Sequence, residues 1–342
     1  MRAVHLVEHG GPEALRIVDV PVPEPGPGEA RVRVAAVSLN HLDIWVRRGM
    51  PGVEIPMPHV PGCDGTGVVD ALGPGVDSVS VGQDVVLEPG YTEADGPEVE
   101  AGLDHLAPDY QIRGEHGAGF AAEYVCLPAR YLTAIPEGVD IVQAAAVPLV
   151  FLTAWGMLHT RAELRAGETV LVLGAASGVG SAGIQIAKAA GARVITTAGS
   201  EEKRALGAEL GADEVLDHRD PDWPRRVKAL TEGHGCDVVF EHIGPATWSG
   251  AMRVLARRGR LVTCGGTTGP RVDVTLPHLF MKNQSVLGST MGPRAAFSAI
   301  FQRVAEGSFR PVVDRVLPID EIQQAHRLLE GRQVCGKLVL TF

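Results

Sequence analysis

Between residues 169 and 183 a short apolar run stops at Gly174 and turns through Ala175, Ala176, Ser177, Gly178 and Val179 to Gly180. It then passes into a helical pattern over residues 184–190. A strand, a small-residue turn and a helix N-terminus bring backbone N–H groups close to a pyrophosphate, and the helix dipole favours its charge. The spacing Gly174, Ser177, Gly178, Gly180 departs from G-x-G-x-x-G. A glycine turn between a strand and a helix also occurs as plain structure, so the surrounding elements must decide.

Those elements alternate. Residues 192–198 read as a second strand, 201–210 as a helix and 214–218 as a third strand. A helix (223–231), a strand (237–242), a helix (246–257) and a strand (260–264) follow, with a sixth strand at 285–290. Alternation of this kind argues for right-handed βαβ units and a parallel sheet, with ligand at the strand C-termini. Residues 1 to about 142 differ: 30–34 alternate like a half-buried strand, 67–72 and 85–87 read as short strands, and turn clusters separate them. Long helical periodicity is absent there, so a β-rich domain is expected before the α/β one.

Composition agrees. A chain of 342 residues suits two domains. The five cysteines form no close pair, which gives no C-x-x-C metal signature and points to a reducing, cytoplasmic setting. A net charge of −10 argues against nucleic acid as a partner. The N-terminus has no signal-like apolar region, and the apolar run at 144–155 is broken by Pro148, so no membrane partner is expected.

The chain resembles the medium-chain dehydrogenase/reductase superfamily, in its zinc-independent quinone oxidoreductase branch. The resemblance rests on the stretches 25–29 (PGPGE), 39–43 (LNHLD), 61–69 (PGCDGTGVV), 82–86 (GQDVV), 120–125 (FAAEYV), 152–155 (LTAW), 174–180 and 336–340 (GKLVL). It runs nearly end to end. It implies a GroES-like β-rich catalytic domain, residues 1–145 and 291–342, with a Rossmann doubly wound parallel sheet, 146–290, inserted between its parts.

Zinc members of that superfamily carry Cys-x-x-Asp, then Gly-His-Glu, then a later Cys. The matching positions here are Asn40 with Asp43, Cys63 with Asp64, and about Leu149. Of these only Cys63 offers a zinc ligand, and catalytic zinc needs about three, so no metal is expected. A meeting of His59, Cys63 and His116 on a soft metal is the alternative. The structural-zinc lobe, 88–109, has no cysteine; it holds Glu88, Glu93, Asp95, Glu98, Glu100, Asp104 and Asp109, and no Lys or Arg. Such a segment is expected to be solvated, with a weak hard-cation site as the alternative.

Without zinc an alkoxide lacks its Lewis acid. The resemblance therefore implies transfer of hydride from NADPH to quinones or α,β-unsaturated carbonyls, which needs a placed nicotinamide, a hydrogen-bond donor and a proton source. It puts Asn40, His41 and Asp43 near the nicotinamide: Asn40 hydrogen-bonding cofactor or substrate carbonyl, Asp43 ordering the site, His41 relaying a proton or simply packing. Trp45 stands where relatives often have tyrosine, keeping a flat wall without the phenolic O–H; a core aromatic is the alternative.

The second strand ends at 197–200 without the carboxylate that binds the NADH ribose. By resemblance Gly199, Ser200 and Lys203 take the 2′-phosphate of NADPH and His218, followed by Arg219, lines the adenine end. Glu201 or Glu202 would permit NADH instead. Thr153, Ile243, Gly244, Gly265 and Gly266 complete the cofactor contacts. Lys337 is read as structural and Cys264 as a core thiol. The sixth strand at a sheet edge, paired in relatives across a two-fold axis, implies a homodimer, with a tetramer as the alternative. An NAD(P)-dependent alcohol dehydrogenase and a non-catalytic NADPH-binding protein are the competing functions.

Overall fold

The computed structural model describes residues 1–93 and 95–342 and divides into two compact units, Met1–Leu149 with Pro293–Phe342, and Val150–Gly292. In the first unit the alternating run grows into β1, Glu29–Ser38, whose alternate side chains are buried over much of its length. It pairs antiparallel with β2, Asp64–Leu72, with Ser38 opposite Asp64. On its other side the C-terminal strand Lys337–Thr341 pairs antiparallel with β1, Val339 opposite Ser38. Tyr124–Pro128 also joins β1, and Asp84–Leu87 and Leu132–Ala134 extend the sheet beyond β2. Its core includes Val32, Val34, Val85, Leu87, Leu338 and Leu340.

The stretch without long helical periodicity nevertheless holds a helix of 8 residues. It is α1, His41–Arg48, starting directly where β1 ends. The Asp43 carboxylate accepts the backbone N–H of Asn40 at 2.7 Å, the return arm of a capping box. Asn-x-x-Asp at 40–43 is thus a legible helix start. The short helix escapes periodicity because its buried set includes the charged Asp43 and Arg47.

The second unit carries six strands: β3 (Thr169–Leu173), β4 (Arg193–Ala198), β5 (Glu214–Asp217), β6 (Cys236–Glu241), β7 (Leu255–Thr263) and β8 (Ser285–Gly288). Their order is β5-β4-β3-β6-β7-β8, every neighbour parallel. This is the doubly wound Rossmann order, with its reversal between β3 and β6. Strands buried on both faces read as continuous apolar runs, and Val170, Leu171, Val172 and Leu173 are all fully buried. Two boundaries move. The helix after β3, α2, spans Gly178–Ala189 and starts well before the expected residue 184. Strand β7 begins at Leu255 rather than 260, passing a register shift opposite Cys236 and Val238.

Candidate active site

Strand β3 ends at Leu173, and the chain turns at Gly174 onto the N-terminus of α2. Ser177 is the N-cap: its Oγ accepts the Gly180 N–H at 2.9 Å and donates to the Gly174 carbonyl at 2.9 Å. The cap lets the helix begin inside the turn, which is why it starts early. The N–H groups of the first turn, Gly178 and Val179, have no acceptor within the helix. A Cβ on Gly180 would lie 2.1 Å from the Gly174 carbonyl oxygen, so only glycine permits this close turn. His242, just past β6, sits beneath it with Nε2 2.8 Å from the Leu173 carbonyl and 3.3 Å from Ser177 Oγ. Burial pushes His242 below its ordinary value, so it is neutral. Sequence reasoning missed it; a histidine ending the strand next to β3 was the available signal.

The same sheet edge gathers the other residues expected at a cofactor. Ala175 N–H donates to the Thr197 carbonyl at 2.9 Å, while Ala176 is buried in the turn. Ser200 caps the helix Glu201–Glu209, its Oγ accepting the Lys203 N–H at 3.3 Å. Gly199 faces His218 so closely that a Cβ would come 3.0 Å from Nε2, and His218 Nδ1 is 3.1 Å from Thr197 Oγ1. Beyond it Asp217 holds Arg204 at 2.8 Å and Arg219 at 2.9 Å. The hydrogen bonds and charge of Arg219, with Arg204, hold Asp217 well below the usual carboxylate range. Ile243 and Gly244 follow β6, both N–H groups donating to Glu241 Oε1 at 2.9 Å. Gly266 follows β7, and a Cβ on Gly244 would lie 3.1 Å from its Cα; Gly265 precedes it, with its carbonyl accepting Thr263 Oγ1 at 3.2 Å. Thr153 lies apart from this group, on the helix Pro148–Trp155, with Oγ1 3.7 Å from Met291 Sδ.

In the first unit, β1, β2 and the C-terminal strand converge on a buried polar network. Lys337, 4% exposed, donates to Asn40 Oδ1 at 2.5 Å and to Asp64 Oδ2 at 3.0 Å. Asn40 Nδ2 donates to Asp64 Oδ2 at 2.8 Å and to the Ser38 carbonyl at 3.4 Å. Asp64 Oδ1 accepts the Leu149 N–H at 2.8 Å. An ammonium only donates and a carboxylate only accepts, so the Asn40 amide has one orientation. Both its amide hydrogens have acceptors inside the protein. Cys63 Sγ lies 3.6 Å from Asp43 Oδ1. Burial, then the charges of Asp43 and Asp64, pushes the Cys63 thiol well above its ordinary value, leaving it protonated. Burial raises Asp43 to about 6, against the lowering pull of the Asn40 N–H and Lys337.

On α1, His41 and Trp45 lie four residues apart and share a half-exposed face, opposite the buried Asp43. His59 and His116 do not join Cys63. His59 Nε2 lies 3.1 Å from the Gly114 carbonyl, and His116 Nδ1 accepts the Ile112 N–H at 3.2 Å. Among the described residues no group of three or more His, Cys, Asp or Glu is placed to hold a metal. The acidic segment is not wholly solvated. Glu88 is buried and ion-paired to Arg294 at 2.5 Å, and Asp104 accepts the Arg294 N–H at 2.9 Å. Cys264 is raised to about 12, by burial first and then the Glu241 charge, which suits an inert thiol.

Comparison with known proteins agrees with both units. A family model described as the alcohol dehydrogenase GroES-like domain matches residues 26–137, and one described as zinc-binding dehydrogenase matches residues 178–306. A quinone oxidoreductase of Pseudomonas aeruginosa is 34% identical, over 99% of this chain and 99% of its own. A crystal structure of an NAD-dependent alcohol dehydrogenase superposes with a TM-score of 0.97 at 47% identity, covering 100% of both chains. A cobalt- and zinc-bound thermostable alcohol dehydrogenase from Pyrobaculum aerophilum gives 0.90 at 32% identity, over 100% of this chain and 99% of that one. With a GroES-like unit, a Rossmann sheet and these relatives, the chain belongs to the medium-chain dehydrogenase/reductase superfamily and is an NAD(P)H-dependent oxidoreductase.

Proposed function

We propose that this oxidoreductase uses NADPH to reduce quinones or α,β-unsaturated carbonyl compounds without a catalytic metal. The observation that carries this reading is the Lys337–Asp64–Asn40 network. Position 149 offers a leucine, Cys63 is a protonated thiol, and the Asp64 carboxylate is neutralised by an ammonium 3.0 Å away. Catalytic zinc takes about three protein ligands and an open position. These residues do not fit it.

The dinucleotide does fit. The Gly178 and Val179 N–H groups and the close turn at Gly180 suit its pyrophosphate, with Ala175, Ala176 and Ser177 shaping the turn. Thr153, Ile243, Gly244, Gly265 and Gly266 are assigned to its nicotinamide side. The bound nicotinamide supplies hydride. Asn40, its amide hydrogens held by Ser38 and Asp64, is assigned to the cofactor rather than the substrate. Trp45 provides a flat wall, His41 on the same helix face passes a proton, and Asp43 holds the start of α1.

Preference for NADPH follows from charge. Asp217, the carboxylate next to His218, is outnumbered by its partners Arg204 and Arg219. Gly199, Ser200 and Lys203 then offer backbone, hydroxyl and ammonium donors to a 2′-phosphate. NADH is the second reading, favoured by exposed Glu201 and Glu202 and by likeness to the NAD-dependent alcohol dehydrogenase. Turnover of quinones, enones and alcohols with each cofactor, on protein assayed for metal, tests the whole assignment. A zinc requirement with alcohols alone overturns it, and an NADH preference of about tenfold, ~1.4 kcal/mol, reverses the cofactor choice. Tight NADPH binding without turnover on any substrate would leave a non-catalytic binding protein.

The expected homodimer has a surface to match. Strand β8 lies at the edge of its sheet. Beside it in sequence, the helix Leu276–Met281 leaves Leu276, Phe280 and Met281 64%, 65% and 67% exposed. An open strand edge with apolar neighbours favours pairing with a second copy.

A further inference from the structure

We propose that Lys337 is a positioning residue for the reaction, its buried ammonium determining which way the Asn40 carboxamide faces. The inference rests on the assignment of Asn40 to the site made above. The two ends of a carboxamide are nearly alike in shape, so only the polarity of their partners separates them. Lys337 presents three hydrogens and no lone pair, and it contacts Asn40 Oδ1 at 2.5 Å. Asp64, fully buried, presents lone pairs to Asn40 Nδ2 at 2.8 Å. The lysine serves both ends of this arrangement. It holds the carboxamide oxygen directly, and at 3.0 Å it is ion-paired to the Asp64 oxygen that accepts from the carboxamide nitrogen.

Remove the ammonium and Asp64 is left as a buried carboxylate with no cation in contact. The Asn40 oxygen has then lost the donor that fixed it, and the amide loses its single orientation. The C-terminal strand delivers Lys337 to this place. Leu39 N–H donates to the Leu338 carbonyl at 3.0 Å, and Ser38 Oγ reaches the same oxygen at 3.2 Å. The residue that orients Asn40 thus arrives from 297 positions away along the chain.

Steady-state kinetics at saturating cofactor on Lys337→Met, Lys337→Arg, Asn40→Ala and the Lys337→Met/Asn40→Ala double variant tests this. Lys337→Met is expected to lower kcat on the order of 10²-fold, the scale of a misplaced contact, with a smaller change in KM. Lys337→Arg restores most of the loss. The double variant is no slower than Asn40→Ala alone, because the lysine then has nothing to orient. Wild-type kcat in Lys337→Met overturns the proposal, as does multiplication of the two losses in the double variant. Lys337→Gln, which donates without charge, takes the place of Lys337→Met in every comparison if thermal unfolding shows that variant unfolded. Wild-type kcat in Asn40→Ala overturns the assignment of Asn40 itself and the proposal with it.

Discussion

At Asn40, chemistry turns on which atoms are free. Its type and spacing suggested a hydrogen-bonding group, and that much was legible. Which half of the amide is spent was not, because Lys337 and Asp64 reach it only through the fold. Asp43 shows the same limit. The resemblance marked it as a residue that orders the site, while its complete burial raises it from 3.8 to about 6. Folding therefore favours its neutral form, and across pH 3.8 to 6 its contribution to stability falls as pH rises, by on the order of 3 kcal/mol. In Asp43→Asn that fall is absent. Urea midpoints measured from pH 4 to 6.5 should decline less with pH, or rise more, than in the wild type; parallel profiles would refute the burial argument.

Among the elements, the turn from β3 into α2 is the most local and was read best. Its glycines and serine lie within one short segment, and only the helix start moved, because Ser177 caps it. Gly180→Ala puts a methyl against the Gly174 carbonyl, and NADPH affinity by calorimetry should fall at least about tenfold, ~1.4 kcal/mol. Retained affinity would mean that this turn is not the pyrophosphate site. The packing of α1 was not legible. The helix Ile322–Glu330 contacts α1 and buries His326 completely, with neither ring nitrogen hydrogen-bonded. Burial, and then the Arg47 charge, lowers His326 to about 3. The unfolded chain binds a proton below about 6.5 and the folded one does not until about 3. Stability from this residue is full above 6.5 and is lost as pH falls toward 3, about 3 kcal/mol by pH 4.5. In His326→Leu the urea midpoint should drop less between pH 7 and 4.5 than in the wild type; an equal drop would place the acid sensitivity elsewhere.

For the molecule as a whole, the acidic balance and the open edge at β8 bear on assembly. Phe280→Lys, on the exposed face beside that edge, should convert a dimer to a monomer in sedimentation at micromolar concentration, with the Rossmann unit still folded. A wild type that sediments as a monomer at that concentration would remove the dimer.

The doubly wound set of six strands, a β-rich first part of the chain and the place of the glycine turn were determined by the sequence alone. Each rests on runs of a few residues whose burial pattern and turn chemistry are written locally, and βαβ handedness leaves few ways to assemble them. What only the tertiary structure decided is the charge balance around Asn40. Asn40, Asp64 and Lys337 stand 24, 273 and 297 positions from one another along the chain. Antiparallel pairing of β1 with both β2 and the C-terminal strand brings them together. Once buried there, a carboxamide's direction depends on its neighbours rather than on residue type, and no local pattern records it.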